Sequence, residues 1–296
     1  MNDYIVVEDN LRQRWNECII DILKFYIELC KKHNLRYFIA YGSAIGAVRH
    51  HGIIPWDDDI DVLMPRPDYQ RLVEICEKTD FGKYKLLTPD NTSYYYLPFA
   101  KMCNMDTTLL ENKEYRCVLG LFIDIFVYDG ITDDIDEAKH ITTEYKKYWN
   151  RFVVASSFYP WSKVKAKLLK GEIKDVIHYW LLALNRKKNR RLFLAKLHDI
   201  EMTYDYDQSY NVVNMPYPPR YDRKGFFPKS WMDSSTTLSF EGMTVDIQSN
   251  FDQILRKHYG DYMQFPPEEE QHSRHQVAYV NLEKHESYEE VMKKIK

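Results

Sequence analysis

The densest chemistry in this chain of 296 residues is acidic. Four carboxylates fall within five consecutive positions, at Asp57, Asp58, Asp59 and Asp61. Side chains alternate along an extended strand, so Asp59 and Asp61 share one face and repel each other. A divalent cation relieves that repulsion, and oxygen ligands suit Mg²⁺ or Mn²⁺ with positions left for phosphate oxygens. Apolar residues and Trp56 flank the run, which favours a metal site over the alternative, a solvated acidic turn.

The residues just before the acidic run could hold a phosphate group. The apolar and aromatic stretch 37–41 predicts a buried strand, and Gly42 allows a tight turn. Ser43 is predicted to cap a short helix over 44–51, which Gly52 would end. A helix N-terminus attracts anions, so Gly42 and Ser43 are expected to contact phosphate oxygens.

A further acidic residue interrupts an apolar segment. Asp124 lies within GLFIDIFVYDG, residues 120–130, whose composition predicts a buried central strand. A buried carboxylate is rarely left without a partner. Two interpretations stay open for Asp124: a structural hydrogen bond to backbone, or a ligand role beside Asp59 and Asp61.

Several blocks of the chain carry long motifs. They are GSAIGAVRHHGIIPWDDDIDVLMPRPDY at 42–69, FIDIF at 122–126, FEG at 240–242 and YGDYMQFPP at 259–267. Together they resemble the LicD family of phosphocholine transferases, which has the nucleotidyltransferase superfold and is related to the fukutin-type ribitol-phosphate transferases. The middle of the chain does not share in this resemblance.

The resemblance implies roles for individual residues. Asp59, Asp61 and Asp124 would hold one or two Mg²⁺ or Mn²⁺ ions, and Asp124 could take the proton of the acceptor hydroxyl. Arg66 either contacts phosphate or pairs with the aspartates, and Lys101 is either a phosphate ligand or a surface lysine. Arg49 has the same ambiguity, because a cation is favourable in the last turn of any helix. The predicted substrate-binding set is Gly42, Ser43, Arg49, Trp56, Asp58, Arg66, Lys101 and Arg220.

Composition limits the classes of ligand and the cellular compartment that we expect for this protein. A net charge of −3 gives no basic surplus for nucleic-acid binding. Aromatic residues reach 15%; most must lie in the core, and a few could line a pocket for sugars or a quaternary ammonium group. The five cysteines form no CxxC pair, which favours free thiols in a reducing cytoplasm. Neither a signal peptide nor a long apolar run is visible, so we expect a cytoplasmic protein that contacts the inner face of the membrane if its acceptor is lipid-linked.

Periodicity and turn residues predict an α/β (α+β) fold with a helical insertion, and the resemblance implies a nucleotidyltransferase-like mixed central sheet flanked by helices. We expect one catalytic domain over 1–296, with a core at 1–130, an insertion at 131–206 and a part at 207–296 that returns to the site. Predicted helices cover 11–33, 68–78, 135–152, 163–183, 187–204 and 251–258. Predicted strands cover 84–87, 97–104, 120–130, 209–214, 238–240 and 243–247. A disordered or solvated role is the default for His272, Arg274 and His275, and the resemblance makes reach into the active site the alternative.

The function that follows is metal-assisted, in-line phosphoryl transfer. The resemblance adds the substrates: phosphocholine from CDP-choline, or a similar CDP-alcohol donor, moves to a hydroxyl of a glycan or lipid-linked glycan, such as a teichoic acid, lipopolysaccharide or capsule precursor. The alternatives are transfer of another alcohol phosphate such as ribitol phosphate, an NTP-using nucleotidyltransferase, and a non-catalytic glycan-binding module.

Overall fold

Nine helices and ten strands make up the part of the chain that the computed structural model describes, residues 9–217, 226–273 and 277–295. The helices are α1 (Asp9–His33), α2 (Tyr41–Arg49), α3 (Arg66–Lys78), α4 (Ile135–Ser156), α5 (Trp161–Leu169), α6 (Ile173–Leu184), α7 (Arg186–Glu201), α8 (Phe251–Tyr259) and α9 (Tyr288–Lys294). The strands are β1 (Phe38–Ile39), β2 (Asp61–Pro65), β3 (Tyr84–Leu87), β4 (Ala100–Leu110), β5 (Leu119–Ile131), β6 (Asn211–Val213), β7 (Phe226–Pro228), β8 (Ser235–Phe240), β9 (Met243–Gln248) and β10 (Tyr279–Asn281).

A mixed sheet of eight strands forms the centre. Its main path runs β1-β2-β5-β4-β10, with β3 also paired to β4, β6 to β5, and β7 to β6. Strands β2 and β5 are parallel, and every other pair in this sheet is antiparallel. The predicted class, a mixed central sheet flanked by helices, is confirmed.

Helix α1 covers one face of the sheet and contacts β4 and β5. Its buried residues recur at helical spacing, at Trp15, Ile19, Ile22, Leu23 and Tyr26. Each such side chain removed from water contributes roughly 1.5–3 kcal/mol. The same helix also holds the acidic segment by its backbone, because the Trp15 indole N–H donates to the carbonyl of Asp58 at 2.8 Å. The predicted helix 11–33 is therefore confirmed, and it contributes to the position of the site.

The helical middle of the chain differs from the prediction in one place. The segment predicted as a single helix over 163–183 is divided into α5 and α6 around Gly171, whose φ of +76° is a left-handed conformation that glycine adopts without strain. Helices α4 and α7 pack against each other through Phe152, Phe193 and Leu197.

Helix starts were the least accurate predictions. Helix α2 begins at Tyr41 after Ala40, which makes no side-chain cap, so Ser43 lies inside the helix instead of capping it. Helix α3 begins two residues before Asp68, whose carboxylate accepts from Arg36 Nε at 2.8 Å. The short elements β7, β10 and α9 were not predicted.

The strands predicted over 238–240 and 243–247 are confirmed as β8 and β9, which pair as a hairpin with Glu241 and Gly242 at its turn. Both turn residues have positive φ, +50° and +73°, as a two-residue turn of this kind requires. All five cysteines lie in the described ranges as free thiols. Within those ranges, no helix is both long enough and apolar enough to cross a bilayer.

Candidate active site

Three predicted carboxylates meet where β2 begins. The parallel register of β2 and β5 places Asp61 opposite Asp124, and Asp59 lies two residues before Asp61. Carboxylate oxygens of Asp59, Asp61 and Asp124 all lie within 4.8 Å of one another. A second group, formed by Asp57, Asp58 and Asp59, meets the same distance limit and shares Asp59 with the first.

The charge of this group is concentrated and poorly solvated. Burial raises the pKa of Asp61 well above its ordinary value, and the carboxylates of Asp59 and Asp124 raise it further. The arrangement therefore disfavours three simultaneous negative charges in the protein alone. An all-oxygen donor set of this density fits a hard divalent cation such as Mg²⁺ or Mn²⁺, and thiolate or imidazole ligands are not part of it.

Lys101 supplies one built-in positive charge. It lies opposite Asp124 across β4 and β5, and its Nζ donates to Asp124 Oδ1 at 2.6 Å. Only 2% of the residue is exposed, and its ammonium lies 3.2 Å from the centre of the Phe122 ring. Burial opposes the charged form, but the carboxylates of Asp124 and Glu111 outweigh it and raise the pKa of Lys101. The interpretation of Lys101 as a surface lysine is wrong, since it is a buried partner of the acidic group.

Ser43 and Gly42 lie beside the acidic group, and their contact with phosphate oxygens stays a prediction. Ser43 is buried, and its Oγ accepts a hydrogen bond from the backbone N–H of Asp61 at 2.9 Å, which ties α2 to the start of β2. Gly42 lines the cavity beside the acidic group. A Cβ atom on Gly42 would lie 2.8 Å from Asp57 Oδ2, so a side chain here would displace that carboxylate. The close approach of Asp57 is therefore what requires a glycine here. Backbone conformation is not the reason, because the residue with left-handed φ in this turn is Tyr41, at +47°.

A cavity of about 570 Å³ opens over the carboxylates. Asp57, Asp59, Asp61 and Asp124 form its acidic floor. Five aromatic residues also line it, namely Tyr41, Trp56, Phe126, Tyr217 and Tyr259. The rings of Tyr41, Phe126 and Tyr217 contact one another with centroid separations of 5.3–5.8 Å. This size and this mixture of polar and aromatic walls are typical of small-molecule sites.

The C-terminal part of the chain supplies one wall of the cavity. Pro266, Glu270 and His272 line it, so His272 reaches the site as the alternative interpretation proposed. Arg274 and His275, which shared that interpretation, lie outside the described residues. Ser273 Oγ donates to Asp58 Oδ2 at 2.5 Å, which joins this segment directly to the acidic run. The FEG turn contacts the segment that precedes the acidic run, because Glu241 Oε1 accepts a hydrogen bond from the N–H of Ile53 at 2.9 Å.

Two arginines of the predicted substrate-binding set, Arg49 and Arg66, form hydrogen bonds with groups outside the three-carboxylate group. Arg49 donates to the carbonyls of Tyr262 and Gln264 at 2.9 and 3.1 Å, and its guanidinium lies 4.6 Å from the centre of the Phe265 ring. It thereby fastens the C-terminal segment to the end of α2.

Arg66 is separate from the acidic run. Its Nε donates to Asp129 Oδ1 at 2.5 Å, and a second bond reaches Glu201 at 3.3 Å. Burial would lower the pKa of Arg66, but these two carboxylates raise it. The interpretation of Arg66 as a partner of the aspartate cluster is wrong, and the residue lines a different cavity. Arg220 lies outside the described residues.

Of the five aromatic residues that line the cavity, sequence reasoning found Trp56 and missed the other four. One member could have been found, because Phe126 lies two residues after Asp124 and must share its face of β5. Tyr41 is adjacent to Gly42, but its place in the cavity wall goes with the left-handed conformation that it adopts at the start of α2. Tyr217 and Tyr259 come from distant parts of the chain, and no local pattern distinguishes them from other tyrosines.

Comparison with known proteins agrees with this site. The sequence model of the LicD/FKTN/FKRP nucleotidyltransferase domain matches residues 34–169, which contain the three carboxylates and Lys101. The lipopolysaccharide cholinephosphotransferase LicD of Haemophilus influenzae is 29% identical over 272 residues, covering 91% of this chain and 98% of that protein.

Two uncharacterized rickettsial proteins match shorter stretches. The one from Rickettsia prowazekii is 35% identical over 149 residues, covering 44% of this chain and 56% of that protein. The one from Rickettsia typhi is 29% identical over 147 residues, covering 50% of this chain and 38% of that protein. The LicD relative aligns along nearly its whole length and the domain model matches residues 34–169, so the chain is similar to LicD-type proteins over most of its length, and it is a transferase enzyme.

Proposed function

We propose that this enzyme transfers phosphocholine from CDP-choline to a hydroxyl group of a cell-surface glycan. The observation that supports this most directly is that one cavity combines a group of three carboxylates with an aromatic wall. The carboxylates suit a metal-bound diphosphate, and the aromatic rings suit a quaternary ammonium group. The relative named as a lipopolysaccharide cholinephosphotransferase supports the same transferred group and a glycan acceptor.

Asp59, Asp61 and Asp124 would hold Mg²⁺ or Mn²⁺. When bound, such an ion would supply Lewis-acid stabilisation of charge on the diphosphate of the donor. Ser43 fixes the backbone at Asp61, and Lys101 fixes the carboxylate of Asp124. The donor set is therefore arranged before substrate arrives, which reduces the reorganisation needed during the reaction.

The reaction exchanges one phosphorus–oxygen bond for another. The acceptor oxygen forms a bond to the phosphorus of the phosphocholine group, the bond to the CMP oxygen breaks, and the acceptor proton leaves to a base. The ammonium of Lys101 stabilises the charged form of Asp124, which makes that carboxylate a poorer proton acceptor. We therefore assign Asp124 to the metal in preference to the proton. Glu270 and His272 line the same cavity and are further candidates for the base.

The choline head group would lie against the rings of Tyr41, Phe126 and Tyr217. Aromatic rings attract a quaternary ammonium through their negative faces, and the effect grows when water is excluded. Burial raises the pKa of Tyr41 and Tyr217, so both stay neutral and keep an uncharged ring face toward the cavity. A polyol such as ribitol has no positive charge and would lack this cation–π attraction.

The test is metal-dependent release of CMP from CDP-choline, measured with a panel of glycan acceptors. Asp59→Asn and Asp61→Asn should each lower kcat/KM by roughly 1000-fold, the equivalent of several kcal/mol of transition-state stabilisation. Asp106→Asn is the matched control, because Asp106 is an exposed aspartate of the same sheet. It should keep wild-type activity and metal dependence.

The donor panel decides between the alternatives. Release of CMP from CDP-ribitol but not from CDP-choline would replace phosphocholine with ribitol phosphate. Release of pyrophosphate from an NTP would indicate a nucleotidyltransferase. If no donor is turned over, calorimetry with Mn²⁺ follows, and an absence of metal-dependent nucleotide binding would refute the catalytic proposal in favour of a binding module.

A further inference from the structure

Helix α6 exposes an apolar stripe along its whole length. Ile173, Ile177, Trp180, Leu181 and Leu184 recur at helical spacing and fall within one arc of the helix surface. Each of these side chains is 49–74% exposed. The helix packs on the protein through a different face, which carries the buried residues Val176 and Tyr179. The stripe is therefore turned toward solvent.

Neighbouring helices extend this apolar surface. In α5, which contacts α6, Trp161, Leu168 and Leu169 are 69%, 42% and 79% exposed. Leu192 of α7 is half-exposed and lines a shallow depression together with Leu184. Contiguous apolar surface of this kind is uncommon on a protein that contacts only water, and it marks an interaction surface.

A strong positive charge surrounds the stripe. Residues 161–192 contain ten lysines and arginines and two acidic residues, a net charge of +8 in a chain whose total is −3. Lys187, Lys188 and Arg191 are exposed and line the depression that Leu184 and Leu192 share. Lys174 is exposed on α6, and its spacing of seven residues from Leu181 places both on the same side of the helix. Apolar and cationic side chains are thus interleaved over three consecutive helices.

We infer that the α5–α7 surface docks on an anionic lipid bilayer. A helix with Trp and Leu on one face and Lys and Arg at its borders lies in the plane of the membrane interface, with the apolar face among the acyl chains. The cations then meet the negative head groups, toward which long basic side chains can extend. A second copy of this chain fits less well, since two such basic surfaces would repel each other. The inference does not depend on which group the active site transfers.

Flotation of the full chain with lipid vesicles tests the proposal. The chain should bind vesicles made of equal parts phosphatidylglycerol and phosphatidylcholine, bind pure phosphatidylcholine weakly, and detach as salt is raised. Replacing Lys187, Lys188 and Arg191 together with Gln should weaken binding by roughly 100-fold at low ionic strength. The matched control replaces three exposed lysines elsewhere, Lys31, Lys32 and Lys293, with Gln, and should bind as the wild type does.

A second variant tests the apolar contribution. Ile177→Ser with Leu181→Ser should lower vesicle binding even where salt has little effect, while circular dichroism and CMP release from soluble substrates stay unchanged. Equal binding by this variant and the wild type would overturn the proposal, as would failure of the wild type to bind anionic vesicles. A concentration-dependent dimer that the Ile177/Leu181 variant abolishes, without vesicle binding, would assign the stripe to self-association instead.

Discussion

Lys101→Met isolates the internal charge of the acidic group. Methionine keeps the length and apolar stem of lysine, so it fills the same space while it removes the ammonium that bonds Asp124 at 2.6 Å. The substitution leaves the Asp124 carboxylate buried with Asp59 and Asp61 nearby and without its cation. The predicted consequence is loss of stability in the absence of divalent metal, together with a stronger response to added metal.

The size of the effect follows from the burial of the pair. Removing one partner of a buried ion pair costs about 3–5 kcal/mol, because the other charge stays desolvated. For a chain of this size, 1 kcal/mol changes Tm by roughly 2 °C, so Tm should fall by about 6–10 °C. Adding Asp124→Asn removes the stranded charge, and the double variant should recover about 1–3 kcal/mol relative to the sum of the single changes.

Thermal unfolding in EDTA and then in Mn²⁺ measures both parts of the prediction. Lys85→Met is the matched control, because Lys85 is an exposed lysine of β3 in the same sheet, and its replacement should change stability by about 0.5 kcal/mol or less. Mn²⁺ should raise the Tm of Lys101→Met more than that of the wild type, since the variant site is more negative. Wild-type stability of Lys101→Met in EDTA would refute the buried-pair reasoning, and equal Mn²⁺ shifts would refute a metal site at Asp124.

Two further predictions concern Gly42 and His198. Gly42→Ala should lower kcat/KM for CMP release by about 10-fold, because the new methyl group displaces the Asp57 carboxylate, while Tm stays within about 2 °C of wild type; unchanged activity would contradict it. His198 lies 3.1 Å from Asp90 and 3.2 Å from Glu201, and hydrogen bonds to these carboxylates raise its pKa from 6.5 to about 10. The folded state therefore favours the imidazolium, so the stability advantage of wild type over His198→Gln, measured by urea unfolding, should be largest below pH 6.5 and disappear as pH rises toward 10. An advantage that does not vary with pH would contradict the ion-pair assignment.

The acidic group was predictable because local rules fix most of it. Alternation along an extended strand places Asp59 and Asp61 on one face, and the apolar run around Asp124 predicts a central strand. The resemblance then made Asp124 the third carboxylate. The sequence does not reveal the register of β4 against β5, which places Lys101 opposite Asp124. A lysine in a strand reads as exposed unless its cross-strand partner is known, and that partner depends on how β4 and β5 align.

The predicted start of α2 was wrong for a different reason. Preference rules place a helix start at Ser43, since serine is a favoured cap. In the folded chain Ser43 bonds the N–H of Asp61, and the helix begins two residues earlier with Tyr41 in a left-handed conformation. Such strain is tolerated where the surrounding structure over-determines it. The tertiary contact with β2 thus outweighs a local preference worth about 1 kcal/mol.

Charge balance ties these details to function. Of the three carboxylates that meet at the cavity floor, Asp124 has a protein cation in Lys101, while burial and its neighbours disfavour the charged form of Asp61. Arg66 is held by Asp129 and Glu201, and Arg49 is held by backbone carbonyls, so these two cations are committed elsewhere. Lys101 therefore offsets part of the negative charge at the cavity floor, and the other carboxylates would attract a divalent cation.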